Sequence, residues 1–467
     1  MVHEYFYYLC SQNKPNTNHR IMKRLTLISL LLSLTTVLFA QKQEIAKKGL
    51  NFGPLPAIAY DADKGFQYGA ILMIYDYGDG HNYPNYDNKT YLEYSRFTKG
   101  SQLIQVHYDD KELIPNTRWS TALKINLDKA FDFYGFNGYG SFYDYDRIVE
   151  GKEGGAYGFT PFYRMKKNDI SFKSDFIGAI SQNLKWEAGV FVRSYRIGEI
   201  DYASINKGKD EASAYPENMP TLYSLYRMAG VISEEEADGG ISSGLRLGMV
   251  YDSRDKEGAP TKGIWAEGHI TAALPYISKI PYYRYSFTWR QYFRLIPGDV
   301  LTLAYRINYE GNFGNKAPFY ALPYMTAMGE KNDADGMGGY NTTRGIMRTR
   351  VVGLDMSAYT VELRWRPIKF TLWNQNIGIG LSAFSDGCMA TRSIDTKGLS
   401  LLNSFNVLGT EKDSPHVTFG AGARFIMNEN FIVAAEYGAP VTHFMKNSPL
   451  YNQDGAGAFY INLGYTF

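Results

Sequence analysis

Alternation of apolar and polar positions, not helical periodicity, organises this chain, and it is clearest at the C-terminal end. Phe467, Tyr465, Leu463, Ile461 and Phe459 are apolar or aromatic, while the interleaved Thr466, Gly464, Asn462, Tyr460 and Ala458 are smaller or more polar. Successive side chains of a strand point to opposite faces, so this segment has one greasy face and one that tolerates water. The same repeat sets Leu301, Leu303, Tyr305, Ile307 and Tyr309 against Thr302, Ala304, Arg306, Asn308 and Glu310. It sets Tyr283, Tyr285, Phe287 and Trp289 against Arg284, Ser286, Thr288 and Arg290. It recurs in Val417, Phe419, Ala421, Ala423 and Phe425 against Thr418, Gly420, Gly422 and Arg424. About ten such residues is the length of a tilted strand that crosses a bilayer.

Parsed this way, the sequence predicts sixteen strands, at 51–61, 65–77, 87–98, 101–110, 117–128, 160–180, 184–198, 240–251, 262–274, 281–294, 299–311, 356–367, 375–387, 415–427, 430–440 and 457–467. The predicted fold is all-β, a transmembrane antiparallel β-barrel spanning 51–467. An even strand number puts both termini in the periplasm, as in bacterial single-chain barrels, which also commonly end on an aromatic residue. The turns at 181–183 and 428–430 then fall on the periplasmic side, and the long insertions 129–159, 199–239, 312–355 and 388–414 fall outside. Within 199–239, the stretches Leu222–Ile232 and Glu234-Glu-Glu236 suit a short surface helix. A charge on the lipid face costs a few kcal/mol near the midplane, so Arg284, Arg290, Arg306 and Arg424 are expected in the lumen. Arg364, Glu310, Glu362 and Glu436 join them there by the same parity.

A leader supports export. Met22-Lys23-Arg24, the apolar run Leu25–Phe39 and Ala40-Gln41 read as a signal peptide at 22–40, with residues 1–21 as an overextended start and 41–50 as a short periplasmic segment. The run falls short of the ~20 residues of a spanning helix, and no later run approaches that length. Aromatic residues make up 15% of the chain, with 39 Tyr, 27 Phe and 46 Gly, which suits strands, aromatic girdles and tight turns. A net charge of +2 without a basic cluster excludes a nucleic-acid partner. Cys10 would leave with the leader, so Cys388 remains as a lone thiol, read as incidental in a loop.

The connection Gly338-Gly-Tyr-Asn-Thr-Thr343-Arg344-Gly345-Ile346 resembles the [VI]-R-G-[FY] loop of the BamA/TamA superfamily of outer-membrane barrels, with Thr343 and Ile346 at the flanking positions. The resemblance implies that the loop folds back into the lumen and that Arg344, beside Gly345, pairs with acids on the next two strands. Parity offers Glu362, since Tyr359, Val361, Leu363 and Trp365 face lipid. It likewise offers Asp386, since Ile377, Ile379 and Leu381 face lipid. Phe384-Ser-Asp386-Gly387 resembles the F-x-D segment of the same family. Asp252-Ser-Arg254-Asp255, followed by Pro260-Thr-Lys-Gly263, is similar to its D-x-R-D…P-T-x-G periplasmic hairpin. The family's client-handling members carry periplasmic POTRA modules, and the ten residues 41–50 are far too few to fold as one. A barrel-only member is therefore expected.

Other motifs carry little. Gly240-Ile-Ser242-Ser-Gly244 fits G-x-S-x-G, but that elbow needs a strand–turn–helix and a partner His, and a strand follows. Asp333-Ala-Asp335-Gly336 is a calcium-loop fragment without its distal glutamate, read as a solvated loop. His107 and His269 face the lumen from distant strands, without metal-type spacing to one another. No enzyme, cofactor or metal is expected. The expectation is a cell outer-membrane barrel acting in protein or lipid handling or export. Its partners would be membrane lipid, the barrel assembly machinery through the C-terminal strand (Phe459, Ile461, Leu463, Tyr465, Phe467), and a periplasmic protein. The alternative is a passive or ligand-selective pore.

Overall fold

The computed structural model describes residues 45–61, 65–144, 160–210, 214–217, 219–330, 333–396, 399–410 and 412–463. The predicted leader at 22–40, residues 1–21, Cys10, Tyr465 and Phe467 lie outside them.

Sixteen antiparallel strands form one sheet in chain order. They are β1 (Leu50–Asp61), β2 (Gly65–Asp76), β3 (Asn88–Phe97), β4 (Gln102–Ile114), β5 (Thr117–Asp132), β6 (Arg164–Ala179), β7 (Leu184–Gly198) and β8 (Gly239–Asp252). There follow β9 (Gly263–Ala273), β10 (Tyr282–Ile296), β11 (Leu301–Asn312), β14 (Asp355–Leu372), β15 (Gln375–Arg392), β16 (His416–Met427), β17 (Phe431–Pro440) and β18 (Ala458–Leu463). The two-residue strands β12 (Tyr324–Met325) and β13 (Ala334–Asp335) pair with each other inside the connection between β11 and β14.

The distribution of side chains is inside out relative to a protein folded in water. Leu247, Phe287, Ile307, Val361, Leu363, Trp365, Leu381 and Phe419 are exposed on the outer face. Arg246, Glu267, His269, Arg284, Arg306, Glu310, Glu362 and Glu436 are buried on the inner one. Only a solvent of hydrocarbon makes that arrangement favourable, because it satisfies the backbone within the sheet and keeps charges off the lipid face.

β14 runs five residues further into the periplasmic hairpin than predicted, and β15 five residues further at the extracellular end, which corrects the reading of Cys388. Inside β15 and facing inward, it packs with Met337, Ile346, Val351 and Met356, rather than sitting in a loop. At the extracellular end, long connections fold into a shared apolar cover. Its core includes Phe133, Phe136, Tyr163, Phe319, Tyr320 and Leu402. The segment Leu222–Met228 is helical as expected, capped by the Thr221 side chain. Leu222, Tyr223, Leu225 and Tyr226 bury its apolar face in the cover instead of leaving it on the surface.

The two ends of the sheet meet through side chains. Among the described residues no ladder joins β1 to β18. Instead the first hairpin overlaps the last: Met73, Tyr75 and Tyr77, inward-facing on or just after β2, cluster with outward-facing Phe431 of β17, and Leu55, Val433 and Leu463 pack against them. Gly53 permits this approach, since a Cβ there would lie 2.7 Å from a Phe431 ring carbon. Below the barrel, Ile45 exchanges two hydrogen bonds with Asn376, and Lys47 donates to the Asn374 carbonyl.

Candidate functional site

The connection 313–354 leaves β11 at the extracellular end and descends through the lumen. Arg344 sits at its centre and is 0% exposed. Its Nε and backbone N–H both donate to Asp386 Oδ2, at 2.8 and 2.9 Å, and Nη2 donates to Asp386 Oδ1 at 3.0 Å. Nη1 reaches Glu362 Oε2 at 2.8 Å and Glu436 Oε1 at 3.0 Å. The guanidinium lies over the Phe384 ring, 3.4 Å from its centroid.

Neighbouring strands build this socket. Glu362 pairs with Phe384 across β14 and β15, and Asp386 lies two residues further along on the same face. Phe384 in turn lies over Gly420 of β16, where a Cβ would come within 2.2 Å of the ring. Arg364 Nε donates to Glu362 at 2.7 Å, and Arg424 Nη2 donates to Glu436 at 2.5 Å. Three carboxylates thus meet three guanidiniums. Buried charge is tolerable only with such pairing and hydrogen bonding.

Gly345 has φ +93°, and a Cβ on it would lie 2.6 Å from the Gly438 carbonyl carbon. Gly438 reciprocates, its own Cβ position being 2.9 Å from the Arg344 carbonyl carbon. Two glycines therefore let the loop backbone touch β17. Tyr460 of β18 accepts the Gly345 N–H through its hydroxyl at 2.9 Å. Neither Gly438 nor Tyr460 was singled out in the sequence; in that parity reading, an inward tyrosine on the last strand was the available signal.

The remaining lumen residues hold other parts of the same loop. Arg284 donates to the carbonyls of Ala321 and Leu322, at 2.6 and 3.4 Å. Arg306 donates to those of Asn341 and Thr342, at 3.1 and 2.7 Å. Glu310 accepts the Thr326 N–H and hydroxyl, each at 3.0 Å. Beyond Thr326 the loop reaches the periplasmic end, where Glu330 meets Lys89 and the Tyr86 hydroxyl at 2.7 Å each. Asp333, expected in solvent, instead meets Arg246 at 2.7 Å and Arg193 at 3.3 Å, because the segment is folded inside the barrel. Asp335 lies 3.9 Å from Lys124.

A second anchor, not foreseen, ties the loop to the cover. Arg350 donates to the carbonyls of Gln453, Gly138 and Ser141 at 2.7, 2.7 and 2.9 Å. Beside it Asp454 accepts from Tyr139 at 2.6 Å and Thr442 at 3.1 Å, and contacts His416 Nδ1 at 2.5 Å. Burial alone would raise the Asp454 pKa; the His416 charge, Arg350 and these hydrogen bonds outweigh it and hold the carboxyl below its ordinary value. In the periplasmic hairpin, Asp255 accepts the Thr261 N–H and hydroxyl, and Arg254 lies between Asp252 and the Trp265 ring. Ser242 is in mid-strand on β8, without the turn and helix that a nucleophile elbow needs.

The chain resembles known proteins in the same terms. Among solved structures, BamA from Haemophilus ducreyi lacking POTRA domains 1–3 superposes with a TM-score of 0.51 at 14% identity, covering 90% of this chain and 70% of that one. CdiB from Escherichia coli gives 0.49 at 9% identity, covering 85% of this chain and 60% of that one. No curated protein is detectably similar by sequence. The family model described as the Omp85 superfamily domain matches residues 96–467, most of the chain and all of the strands that form the socket. That match spans most of the chain and accords with the outer-membrane barrel: the chain belongs to the Omp85 superfamily.

Proposed function

We propose that this barrel acts, without catalysis of its own, in outer-membrane protein or lipid handling or export, with the Arg344 loop as a latch and the β1/β18 seam as the moving part. The observation that carries the reading is the overlap seam. Among the described residues, where other strands share ladders, the first hairpin (Gly53 and Leu55 of β1, Met73 of β2) meets the last (Phe431 of β17, Leu463 of β18) through side chains. Pro54 and Pro56 lack N–H groups, so the free edge of β1 has fewer donors to zip with. Among the described residues, separating the two ends breaks side-chain contacts and the bonds of Asn430 to Tyr75, Tyr77 and Pro84 rather than a ladder. The edges so freed could template the strand of a client, as exposed sheet edges do.

The latch would set when that happens. Gly345 bonds to Tyr460 on β18, and Arg344 bonds to Glu436 on β17, so the loop position and the last strands are mechanically joined. The filled lumen speaks against the passive-pore reading, since Arg284, Arg306, Glu310, Glu362, Arg364 and Glu436 are all buried rather than lining a wet bore. Clients would be recognised by membrane-facing strands or acyl chains, and a periplasmic partner would deliver them. Depleting the protein and measuring the outer-membrane proteome and the asymmetry of the two lipid leaflets tests the reading. A selective loss of particular barrels, or lipid scrambling, is expected; no change in either would sink it.

A further inference from the structure

Strands β7 and β9 are separated by β8, yet one cluster of side chains spans them. Glu187 of β7 pairs with Gly248 of β8, and Gly248 pairs with His269 of β9. A Cβ at Gly248 would lie 2.5 Å from the His269 Cβ, so the missing side chain opens a gap between the two. Through it the ligand atoms of Glu187, Glu267 and His269 come within 4.8 Å of one another.

Glu187 is not satisfied by its surroundings. Glu187 is 2% exposed, and neither carboxylate oxygen has a hydrogen-bond partner. The two lysines whose charges reach it sit against other acids: Lys173 is 3.3 Å from Asp175, and Lys185 is 3.9 Å from Asp252. Lys173 also donates to the loop carbonyls of Ala327 and Gly329.

The tautomer of His269 follows from its neighbours. Its Nε2 lies 2.9 Å from Thr326 Oγ1, which lies 3.0 Å from both oxygens of Glu310. A carboxylate only accepts, so the Thr326 hydroxyl proton goes to Glu310 and its oxygen accepts Nε2–H. Nδ1 then faces Glu267 Oε1 at 3.2 Å, an ion pair when the ring carries a second proton and a lone pair aimed into the cluster when an ion displaces that proton. Glu267 is oriented by Trp265 Nε1 at 3.1 Å and the Met328 N–H at 3.3 Å. An imidazole nitrogen and two carboxylates converge; His269 and Glu267 are held by groups behind them, as protein metal ligands typically are, and Glu187 is the unpartnered third.

We propose that Glu187, Glu267 and His269 Nδ1 bind one divalent transition ion, with zinc the best match to one nitrogen and two oxygens and an open fourth position. Such an ion would sit between the barrel wall and the descending loop. Through Thr326 on His269 and Met328 on Glu267, it would fix residues 326–328 against β9.

The test uses the untagged full chain, refolded in detergent micelles and stripped with a chelator. Equilibrium dialysis against Zn²⁺ followed by elemental analysis counts bound metal. A Co²⁺ titration read by visible absorption reports imidazole coordination. One ion per chain is expected, with Glu187→Gln and His269→Ala each weakening binding by about tenfold or more, and His443→Ala leaving it unchanged. Gel mobility before and after heating checks that each variant is folded. Should His269→Ala fail to fold, the near-isosteric Glu187→Gln carries the test. Wild-type stoichiometry and affinity in Glu187→Gln would mark the metal as adventitious. No binding by the wild type would mean that a proton closes the cluster. Either result overturns the proposal.

Discussion

Arg344 binds Asp386 three times, through Nε, Nη2 and its own backbone N–H, at 2.8, 3.0 and 2.9 Å. Side chain and main chain are thus fixed by one carboxylate, which pins the loop position as well as the charge. Arg344→Ala would leave Asp386, Glu362 and Glu436 buried and short of a partner. Removing one member of a buried pair typically costs about 3–5 kcal/mol. Arg344→Lys keeps the charge without the planar fork and should recover less than half of the loss. Urea unfolding in lipid vesicles, followed by tryptophan fluorescence, measures both. A wild-type midpoint for Arg344→Ala would show that the socket contributes nothing to stability.

Gly345 and Gly438 make a second prediction, because they remove bulk at one contact from opposite sides. Gly345→Ala adds a Cβ at φ +93° and within 2.6 Å of β17 backbone. Neither the positive φ nor the contact can relax while Arg344 remains seated, so the loop should lift. Limited trypsin digestion at Arg344 and Arg348 should become faster by about tenfold or more, which is what a shift of ~1.4 kcal/mol in the opening equilibrium gives. Unchanged digestion would mean that the two backbones separate without disturbing the socket.

The strands were legible in the sequence because a lipid-facing wall enforces its own code: one face must be apolar along every strand. That is why Glu362 and Asp386 could be put on the inner face by parity. The code stops where the lipid does. β15 extends five residues further than predicted at its extracellular end, and there Cys388 and Ala390 face the folded loop rather than a lumen filled with water. The same limit hid the destination of Asp333 and Glu330. A polar, glycine-containing stretch looks alike whether it lies in solvent or inside a barrel, and only the wall arginines and lysines that receive it distinguish the two. Glu187 and His269 were invisible as a pair for another reason: they are brought together by a missing side chain at Gly248, two strands apart and 82 residues apart in sequence.

The descending loop should keep the barrel closed to ions. Glu330 reaches Lys89 and Tyr86 at the periplasmic end, and Lys173, Arg193 and Arg246 hold the segment above it. In planar bilayers the wild type should be silent or flicker rarely. Deleting residues 326–335 should give a steady conductance, while Glu330→Ala should give only brief openings, since the upper contacts remain. A steady open state in the wild type would instead return the passive-pore reading to the lead.

The cover should loosen in acid through Asp454. Its folded pKa lies below the ordinary carboxylate value of about 4. A carboxyl depressed on folding contributes stability that is fully present above its unfolded pKa and is lost as the pH falls through the folded one. Protonation would remove the charge that faces His416 and weaken the bonds from Tyr139 and Thr442, beside the Gly138 and Ser141 carbonyls that Arg350 gathers. Pepsin, active in that range, should therefore cut the extracellular loops of the wild type progressively faster below pH 4. Asp454→Asn should be cut faster at pH 4 and above, where it lacks the charge, and should change less with pH. The difference between the two curves isolates Asp454 from other titrating acids. Parallel curves for the two proteins would place the acid sensitivity elsewhere and leave Asp454 as an ordinary hydrogen-bond acceptor.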